Sequence, residues 1–466
     1  MKNKLILAAV SGCLTIPVFA GDRVNFIVIN LDDAGYGDFS YKGALGYRTP
    51  NVDKMASEGM QFSHFLAVQP VSGASRAGLL TGCYPNRIGF AGAPDHNSKI
   101  GISPEEGTIA EVLKKKGYTT AIYGKWHLGH LKQYLPLQNG FDEFYGIPYS
   151  NDMWPYHPTG GSYYPALPTI AGNDTIGYNT DQSQFTTDFT NRAVSFIKKN
   201  KDTPFFVYLA HPMPHVPLAV SDKFKGKSEQ GMYGDVMMEI DWSVGQILQT
   251  LKEEGLEENT LVILTSDNGP WINYGNHAGS TGGLREAKGT TYDGGNRVPC
   301  IMYWKGKVEA GTVCNVMASN IDILPTLAEI GGASLPDNEI DGVSLLPLLK
   351  GDMTAKPHEF FYYYYRKNDL EAVTDGRFKL IFPHKHRSYT QFPPANDGKP
   401  GRVVEDFEIK ESALYDLRRD PGEDYNVINE YPGIVKKLED AAMKAREDMG
   451  DDLTGKKGAN RRIVAM

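Results

Sequence analysis

The run Asn25-Phe26-Ile27-Val28-Ile29-Asn30-Leu31 leads directly into Asp32-Asp33-Ala34-Gly35-Tyr36-Gly37-Asp38. The first stretch is a nearly continuous apolar run. It reads as a strand buried on both faces, ending in a polar loop that opens with two adjacent carboxylates. The same pattern returns further along the chain. Thr108 can cap a helix over 109–116 that Gly117 ends. A strand over 118–123 follows and runs into Gly124-Lys125-Trp126-His127-Leu128-Gly129. A strand over 205–210 leads to His211-Pro212-Met213-Pro214-His215, and one over 260–265 leads to Ser266-Asp267-Asn268-Gly269. Between these last two, a helix over 235–254 puts Val236, Ile240, Val244, Ile247, Leu248 and Leu251 on one face. Alternating strands and helices predict an α/β domain with a mostly parallel sheet sandwiched by helices. Ligands bind such sheets beyond the carboxyl ends of the strands. These polar segments all follow predicted strands, so they can meet at one edge.

The pattern changes near 349–357. Phe360 to Tyr365 is an aromatic run, 373–381 reads as a hairpin around Asp375-Gly376, and an amphipathic helix is expected over 433–448. This predicts a smaller α+β C-terminal domain, with a loose polar tail after Gly450.

With 466 residues, 41% of them hydrophobic, the chain can bury a large core. Its net charge of −8 includes no dominant basic block, which argues against nucleic acid as a partner. Residues 1–20 read as a secretory signal. Lys2 and Lys4 precede an apolar stretch, and Val18-Phe19-Ala20 resembles a cleavage site. This predicts export across the inner membrane to the periplasm. Val10-Ser11-Gly12-Cys13 also loosely fits a lipoprotein box, the less favoured reading. No later run is long and apolar enough to predict an integral membrane segment. Of Cys13, Cys83, Cys300 and Cys314, cleavage would leave three, and a Cys300–Cys314 bridge stays open. No Cys/His spacing predicts zinc.

The polar segments offer a consistent chemistry. Asp32-Asp33 alone would be a solvated loop or a helix cap. Joined by Asp267-Asn268, they form a hard-oxygen set suited to Ca²⁺ or Mg²⁺, to which position 72 could add another oxygen. Lys125 and His127 stand two apart after a strand, a spacing that points both side chains the same way in an extended segment. Taken singly they would be a surface lysine and a core histidine. His215 lies in a proline-interrupted segment, and Lys288 in the glycine-rich Lys288-Gly289-Thr290-Thr291-Tyr292-Asp293-Gly294-Gly295.

Together these residues resemble the type I sulfatases of the alkaline-phosphatase-like superfamily, over nearly the whole mature chain. The family signature is Cys or Ser, any residue, Pro or Ala, any residue, Arg. Here it reads Ser72-Gly73-Ala74-Ser75-Arg76, with Thr81-Gly82 beyond. The segment 124–129 and Leu414-Tyr415-Asp416-Leu417 with Asp420-Pro421 are similar to the family too. The stretch 288–299 and Gly146-Ile147-Pro148-Tyr149-Ser150 resemble the arylsulfatase A and N-acetylgalactosamine-6-sulfatase branch. The resemblance implies a catalytic domain over 21–355 and a C-terminal subdomain over 356–466 that contributes to the substrate pocket.

It also implies a mechanism. Ser72 would be oxidised to formylglycine by a maturation enzyme, and a serine rather than a cysteine points to bacterial, oxygen-independent maturation. The hydrated aldehyde would attack sulfur with one hydroxyl and expel sulfate by deprotonation of the other. Asp32, Asp33, Asp267, Asn268 and the modified Ser72 would hold one Ca²⁺, and Arg76 would brace the diol and the carboxylates. Lys125 and Lys288 would neutralise sulfate oxygens. His127 would take the proton from the second hydroxyl, and His215, with Lys288 sharing the role, would protonate the leaving alcohol. The expected substrate is a sulfated carbohydrate, a galactose or N-acetylgalactosamine sulfate, with Asp95, His96, Asp152, Trp154, His157, His384, Lys385 and His386 as candidate sugar contacts. Ordinary loop packing is the plain alternative for each of them. Two rival functions are a phosphatase or phosphodiesterase on the same scaffold, which would call for extra His and Asp metal ligands, and a catalytically silent glycan-binding homologue.

Overall fold

The structure is a computed structural model that describes residues 23–466. The expected signal segment, Cys13 and the lipoprotein box lie outside the described residues. In chain order the strands of the large sheet begin with β1 (Asn25–Leu31) and β2 (Met60–Phe62). A short β3 (Phe65–Leu66) leaves the sheet to pair with β12 (Ala318–Ser319). The sheet continues with β4 (Thr119–Lys125), β5 (Glu143–Ile147), β6 (Pro168–Ala171), β7 (Asp174–Tyr178), β8 (Phe205–Ala210), β9 (Thr260–Ser266), β10 (Cys300–Tyr303) and β11 (Thr312–Cys314). Ten strands run in the order β11-β2-β10-β9-β1-β8-β4-β5-β6-β7. The centre, β9-β1-β8-β4-β5, is parallel throughout, whereas β10 and β6-β7 add antiparallel pairs on the two sides. The sheet is therefore mixed, with the parallel part where the polar segments emerge.

Alternate residues of β1 explain the layering. Phe26 and Val28 face one apolar core with helices α2 (Ser72–Thr81) and α3 (Ile109–Lys114). Ile27, Ile29 and Leu31 face the other with α1 (Pro50–Glu58), α4 (Phe185–Lys199) and α5 (Met232–Glu253). Every residue of β1 is buried, as its continuous apolar pattern requires. Thr108 caps α3 in a reciprocal box with Glu111, giving a helix two residues shorter than predicted. Backbones approach closely at the strand ends: a Cβ on Gly124 would lie 1.9 Å from the Ala210 carbonyl oxygen, and one on Gly146 would lie 1.8 Å from that of Gly124.

The C-terminal domain is a four-stranded antiparallel sheet of β13 (Phe361–Tyr365), β14 (Asp369–Thr374), β15 (Phe378–Ile381) and β18 (Ala413–Asp416). The helix Pro432–Met449 packs on it, and β16 (His384–Ser388) pairs with β17 (Val404–Ile409) in a separate hairpin. Its core takes in Leu66, Val68, Tyr84 and Tyr292 from the larger domain, so the seam between the two is apolar and continuous.

One expectation changes, and one question the sequence left open is answered. The tail is not loose: Arg462 pairs with Glu106 at 2.6 Å and its N–H donates to the Arg87 carbonyl, tying the chain end to the large domain. Cys300 and Cys314 are both free, and each aligns with Phe62 from opposite sides of β2. Two strand spacings, about 9–10 Å, separate them, too far for a disulfide.

Candidate active site

The carboxyl ends of four adjacent parallel strands deliver the polar segments to one place. β1 ends in Asp32 and Asp33, β4 in Lys125 and then His127, β8 is followed by His215, and β9 by Asp267 and Asn268. Ser72 is the first residue of α2, whose ten residues are all buried. The small residues in Ser72-Gly73-Ala74-Ser75 have a steric cause. A Cβ on Gly73 would lie 2.6 Å from the Gly92 carbonyl oxygen, and one on Gly78 would lie 2.4 Å from Val68 Cγ1. Arg76, one turn further along, reaches back under the site.

The contacts are dense. Ser72 Oγ donates to Asp32 Oδ1 at 2.8 Å and lies 3.4 Å from Asn268 Oδ1. Arg76 donates from Nε to Asp267 Oδ2 at 2.9 Å, from Nη2 to Asp32 Oδ2 at 3.2 Å, and from Nη1 to the Lys125 carbonyl. Lys125 Nζ pairs with Asp32 Oδ2 and donates to Ser150 Oγ at 3.1 Å. Lys288 Nζ pairs with Asp33 Oδ1 at 2.6 Å, and Asn268 Nδ2 donates to the same oxygen. His215 Nε2 stands 3.7 Å from Asp33 Oδ2. The expected extended geometry for Lys125 and His127 does not hold: β4 stops at Lys125, and His127 is left-handed at φ 66°. That turn, like the one at Asp33 (φ 63°), re-aims a side chain where the strand ends.

Burial sharpens the electrostatics. It opposes the charge on Asp32, but Lys125, Arg76, His215 and Lys288 override it and hold the carboxyl well below the usual carboxylate range. Burial and the neighbouring Asp32 raise Asp267, with Arg76 opposing. Burial, with Lys125 and Arg76 alongside, drives His127 well down, so its imidazole is neutral. Neither ring nitrogen of His127 has a hydrogen-bond partner among the described residues. It is a buried neutral base near Lys125 and Arg76. Lys288 is raised: burial works against its charge, and Asp33, Asp32 and Asp267 win.

A cation fits this donor set. Asp32, Asp33 and His215 offer atoms within 4.8 Å of one another, and Asp33 Oδ2 is buried without a hydrogen-bond partner among the described residues. The Asp267 carboxylate, which accepts from the Asp33 N–H, and Asn268 Oδ1, 3.4 Å from Ser72 Oγ, lie close by, and this oxygen-rich surrounding suits a hard cation.

The sugar candidates divide into two groups. Asp152 is linked to the centre: burial raises its carboxyl, but His215, His157, Ser150 and Lys125 bring it down overall. His157 Nε2 lies 3.6 Å from Asp152, and the His157 ring packs on Tyr164, which packs on His96. Asp95 accepts from Tyr163 at 2.7 Å, and Trp154 meets Tyr156 edge-on. Asp95, His96, His157 and Asp152 are thus linked through Tyr163 and Tyr164, and Asp152 stands near His127 and His215. His384 and His386 sit elsewhere, 5% and 2% exposed inside the C-terminal domain. His384 faces Glu371 at 3.3 Å, and His386 packs on Tyr292; only Lys385 of this trio is exposed. Sequence reasoning overlooked two residues. Ser150 was read only as part of a resembling stretch, yet it holds Lys125. Trp271 follows Asn268-Gly269-Pro270, packs 5.6 Å from His215, and carries Lys288 Nζ 4.8 Å above its ring. Position after a strand end was the only signal for either.

The chain matches the Sulfatase family model over residues 24–333, a model described as N-sulphoglucosamine sulphohydrolase, C-terminal, over 287–397, and one described as the C-terminal region of aryl-sulfatase over 356–462. It is 38% identical to N-acetylgalactosamine-6-sulfatase of Mus musculus over 431 residues, covering 86% of this chain and 81% of that protein. It is 35% identical to arylsulfatase A of Homo sapiens over 437 residues, covering 89% and 85%. Among solved structures, the PsFucS1 sulfatase from Pseudoalteromonas sp. superposes with a TM-score of 0.81 at 29% identity, covering 92% of this chain and 90% of that one. Buried carboxylates, paired cations and an unpartnered neutral histidine thus coincide with family matches that span both domains. The chain belongs to the sulfatase family and is a sulfate ester hydrolase.

Proposed function

We propose that the enzyme removes sulfate from a sulfated glycan, at a galactose or N-acetylgalactosamine residue, after Ser72 has been converted to formylglycine. The observation that carries this reading is the setting of Ser72. Its Oγ is bonded to Asp32, which Lys125 and Arg76 also hold, beside the unpartnered neutral imidazole of His127. An ordinary buried serine needs no such base. Asp32, Asp33, Asp267, Asn268 and residue 72 would hold one Ca²⁺, which would supply Lewis-acid chemistry to the nucleophile and to a sulfate oxygen. The modified residue supplies a second hydroxyl whose proton can be removed to release sulfate.

Charge supports this assignment. Asp32, Asp33 and Asp267 are matched by Arg76, Lys125 and Lys288. A divalent cation added to this matched set leaves a positive excess, suited to a sulfate ester and to the charge that grows on its oxygens. Lys125 and Lys288 take up that charge, and Ser150 fixes Lys125. His127 accepts the proton of the second hydroxyl. His215, with Lys288 beside it, delivers a proton to the leaving sugar oxygen. Asp95, His96, Asp152, Trp154 and His157 bind sugar hydroxyls, and the relatives named for N-acetylgalactosamine-6-sulfate favour a galacto-configured sugar. The leader over 1–20 carries the protein to the periplasm.

The test has two parts. In protein made with the maturation machinery, the peptide containing Ser72 should be two hydrogens lighter than encoded and should react with carbonyl reagents. That preparation should then be assayed on defined sulfated mono- and disaccharides and on the matching phosphates. Turnover by fully unmodified Ser72 protein would sink the formylglycine mechanism; preference for glucosamine or uronate sulfates would sink the substrate assignment.

A further inference from the structure

The loop from Arg285 to Asn296 carries Lys288, and it does not hold its shape alone. Glu286 is left-handed at φ 54° without being glycine, and Gly289 is left-handed at φ 78°. The C-terminal domain grips this loop repeatedly. The Glu286 carboxylate accepts from Ser388 Oγ and from the Tyr389 N–H, each at 2.8 Å. Thr291 Oγ1 donates to Glu371 at 2.7 Å, and the Thr291 carbonyl accepts from Lys379 Nζ at 2.7 Å. Asp293 pairs with Lys379 at 3.0 Å and accepts from the Tyr363 hydroxyl at 3.1 Å. His384, which faces Glu371, belongs to this grip.

One contact acts on Lys288 itself. The Tyr389 hydroxyl donates to the Lys288 carbonyl. The ring is 6% exposed, and burial pushes the phenol well up, so it stays a donor. Arg387, held by Glu405 at 2.9 Å, lies near the phenol and tempers the rise that burial causes. A carbonyl oxygen cannot donate, so in this bond the phenol proton points to the Lys288 carbonyl. From that fixed backbone the lysine stem reaches Asp33 at one precise site, with its ammonium over Trp271.

The geometry points to Tyr389 as a positioning residue for Lys288: β16 and the residue after it set the backbone from which the sulfate-facing ammonium extends. This rests on the role given to Lys288 above. Displacements of about an ångström in such groups cost on the order of a hundredfold in rate, and loss of one neutral hydrogen bond costs up to about tenfold.

A double-mutant cycle on the mature, metal-loaded enzyme separates positioning from general packing. Parent, Tyr389→Phe, Lys288→Ala and the double variant are assayed on 4-nitrophenyl sulfate. The stabilisation of each against heat by inorganic sulfate is measured in parallel. Tyr389→Phe should lower kcat/KM about fivefold to tenfold and weaken sulfate stabilisation, with its melting temperature close to the parent's. In the Lys288→Ala background the same change should be within about twofold of no effect in both readouts. Equal losses in both backgrounds, or no loss in the parent, overturn the proposal. Should Lys288→Ala turn over too slowly to assay, the sulfate stabilisation decides alone. Should Tyr389→Phe fail to fold, Ser388→Ala, which removes one of the two hydrogen bonds holding Glu286, replaces it in the cycle with the same expected pattern. A Lys288→Ala enzyme as active as the parent would refute the role of Lys288 itself, a result distinguishable from failure of the Tyr389 link.

Discussion

At the scale of single residues, the two histidines differ in what they touch. His127 is neutral and unpartnered, whereas His215 faces Asp33 and packs on Trp271. His215→Ala should therefore reduce kcat/KM for sugar sulfates about 10²–10⁴-fold while leaving 4-nitrophenyl sulfate far less affected, because a nitrophenolate leaves without a proton. His127→Ala should slow both substrates and show an initial burst followed by a stall. Equal losses on both substrates for His215→Ala would move the proton donor to Lys288. The metal assignment is read best without turnover. Ca²⁺ should raise the melting temperature of the parent, by about 2.7 kcal/mol of added stability at a hundredfold excess over Kd. It should do so little in Asp33→Asn, and Zn²⁺ should substitute poorly. A parent whose melting is indifferent to Ca²⁺ would remove Asp32, Asp33, Asp267 and Asn268 as ligands.

At the scale of elements, the site depends on strands that approach more closely than side chains allow. Gly124, next to last in β4, has φ 118°, with the Ala210 carbonyl where a Cβ would be. Gly124→Ala should thus cost about 3 kcal/mol or more, seen as a lowered urea midpoint or as insoluble protein, since neither β8 nor β5 can withdraw without shifting His215 or Ser150. The helix that carries Ser72 shows the complementary logic. Its two serines and two glycines are poor helix formers, and tertiary packing makes the segment a fully buried helix.

At the scale of the molecule, the two domains are joined by polar contacts as well as by an apolar seam. His358 at the junction pairs with the buried Asp322 at 2.7 Å. Burial opposes its charge, but Asp322 prevails and raises it above the ordinary histidine value. A raised pKa in the folded state means that this stabilisation is complete below the unfolded value of about 6.5 and is lost as pH rises through the folded value. The melting-temperature gap between the parent and His358→Gln should accordingly be widest near pH 5–6 and should narrow at alkaline pH. A constant gap would show that the ring acts by packing alone.

Much of the chemistry was legible in the linear sequence. Asp32-Asp33, Lys125, His127, His215 and Asp267-Asn268 each follow a short apolar run, and parallel strands buried on both faces must put their carboxyl ends on one edge. Backbone hydrogen bonding and burial fix that much locally. The sequence could not specify contacts between segments distant in the chain. Ser150 and Trp271 looked like loop residues until β5 and the loop after β9 set them against Lys125, His215 and Lys288. His384 looked like a sugar contact because exposure cannot be read from a polar side chain, and the folded domain turns it inward onto Glu371. The tail looked loose because its polarity said nothing of the ion pair between Arg462 and Glu106, 356 residues earlier in the chain. Periodicity, which is local, determined the architecture, and the signature residues disclosed the reaction through their resemblance to the sulfatases; long-range packing, in which each contact needs a partner from elsewhere in the chain, decided which side chains meet around Ser72.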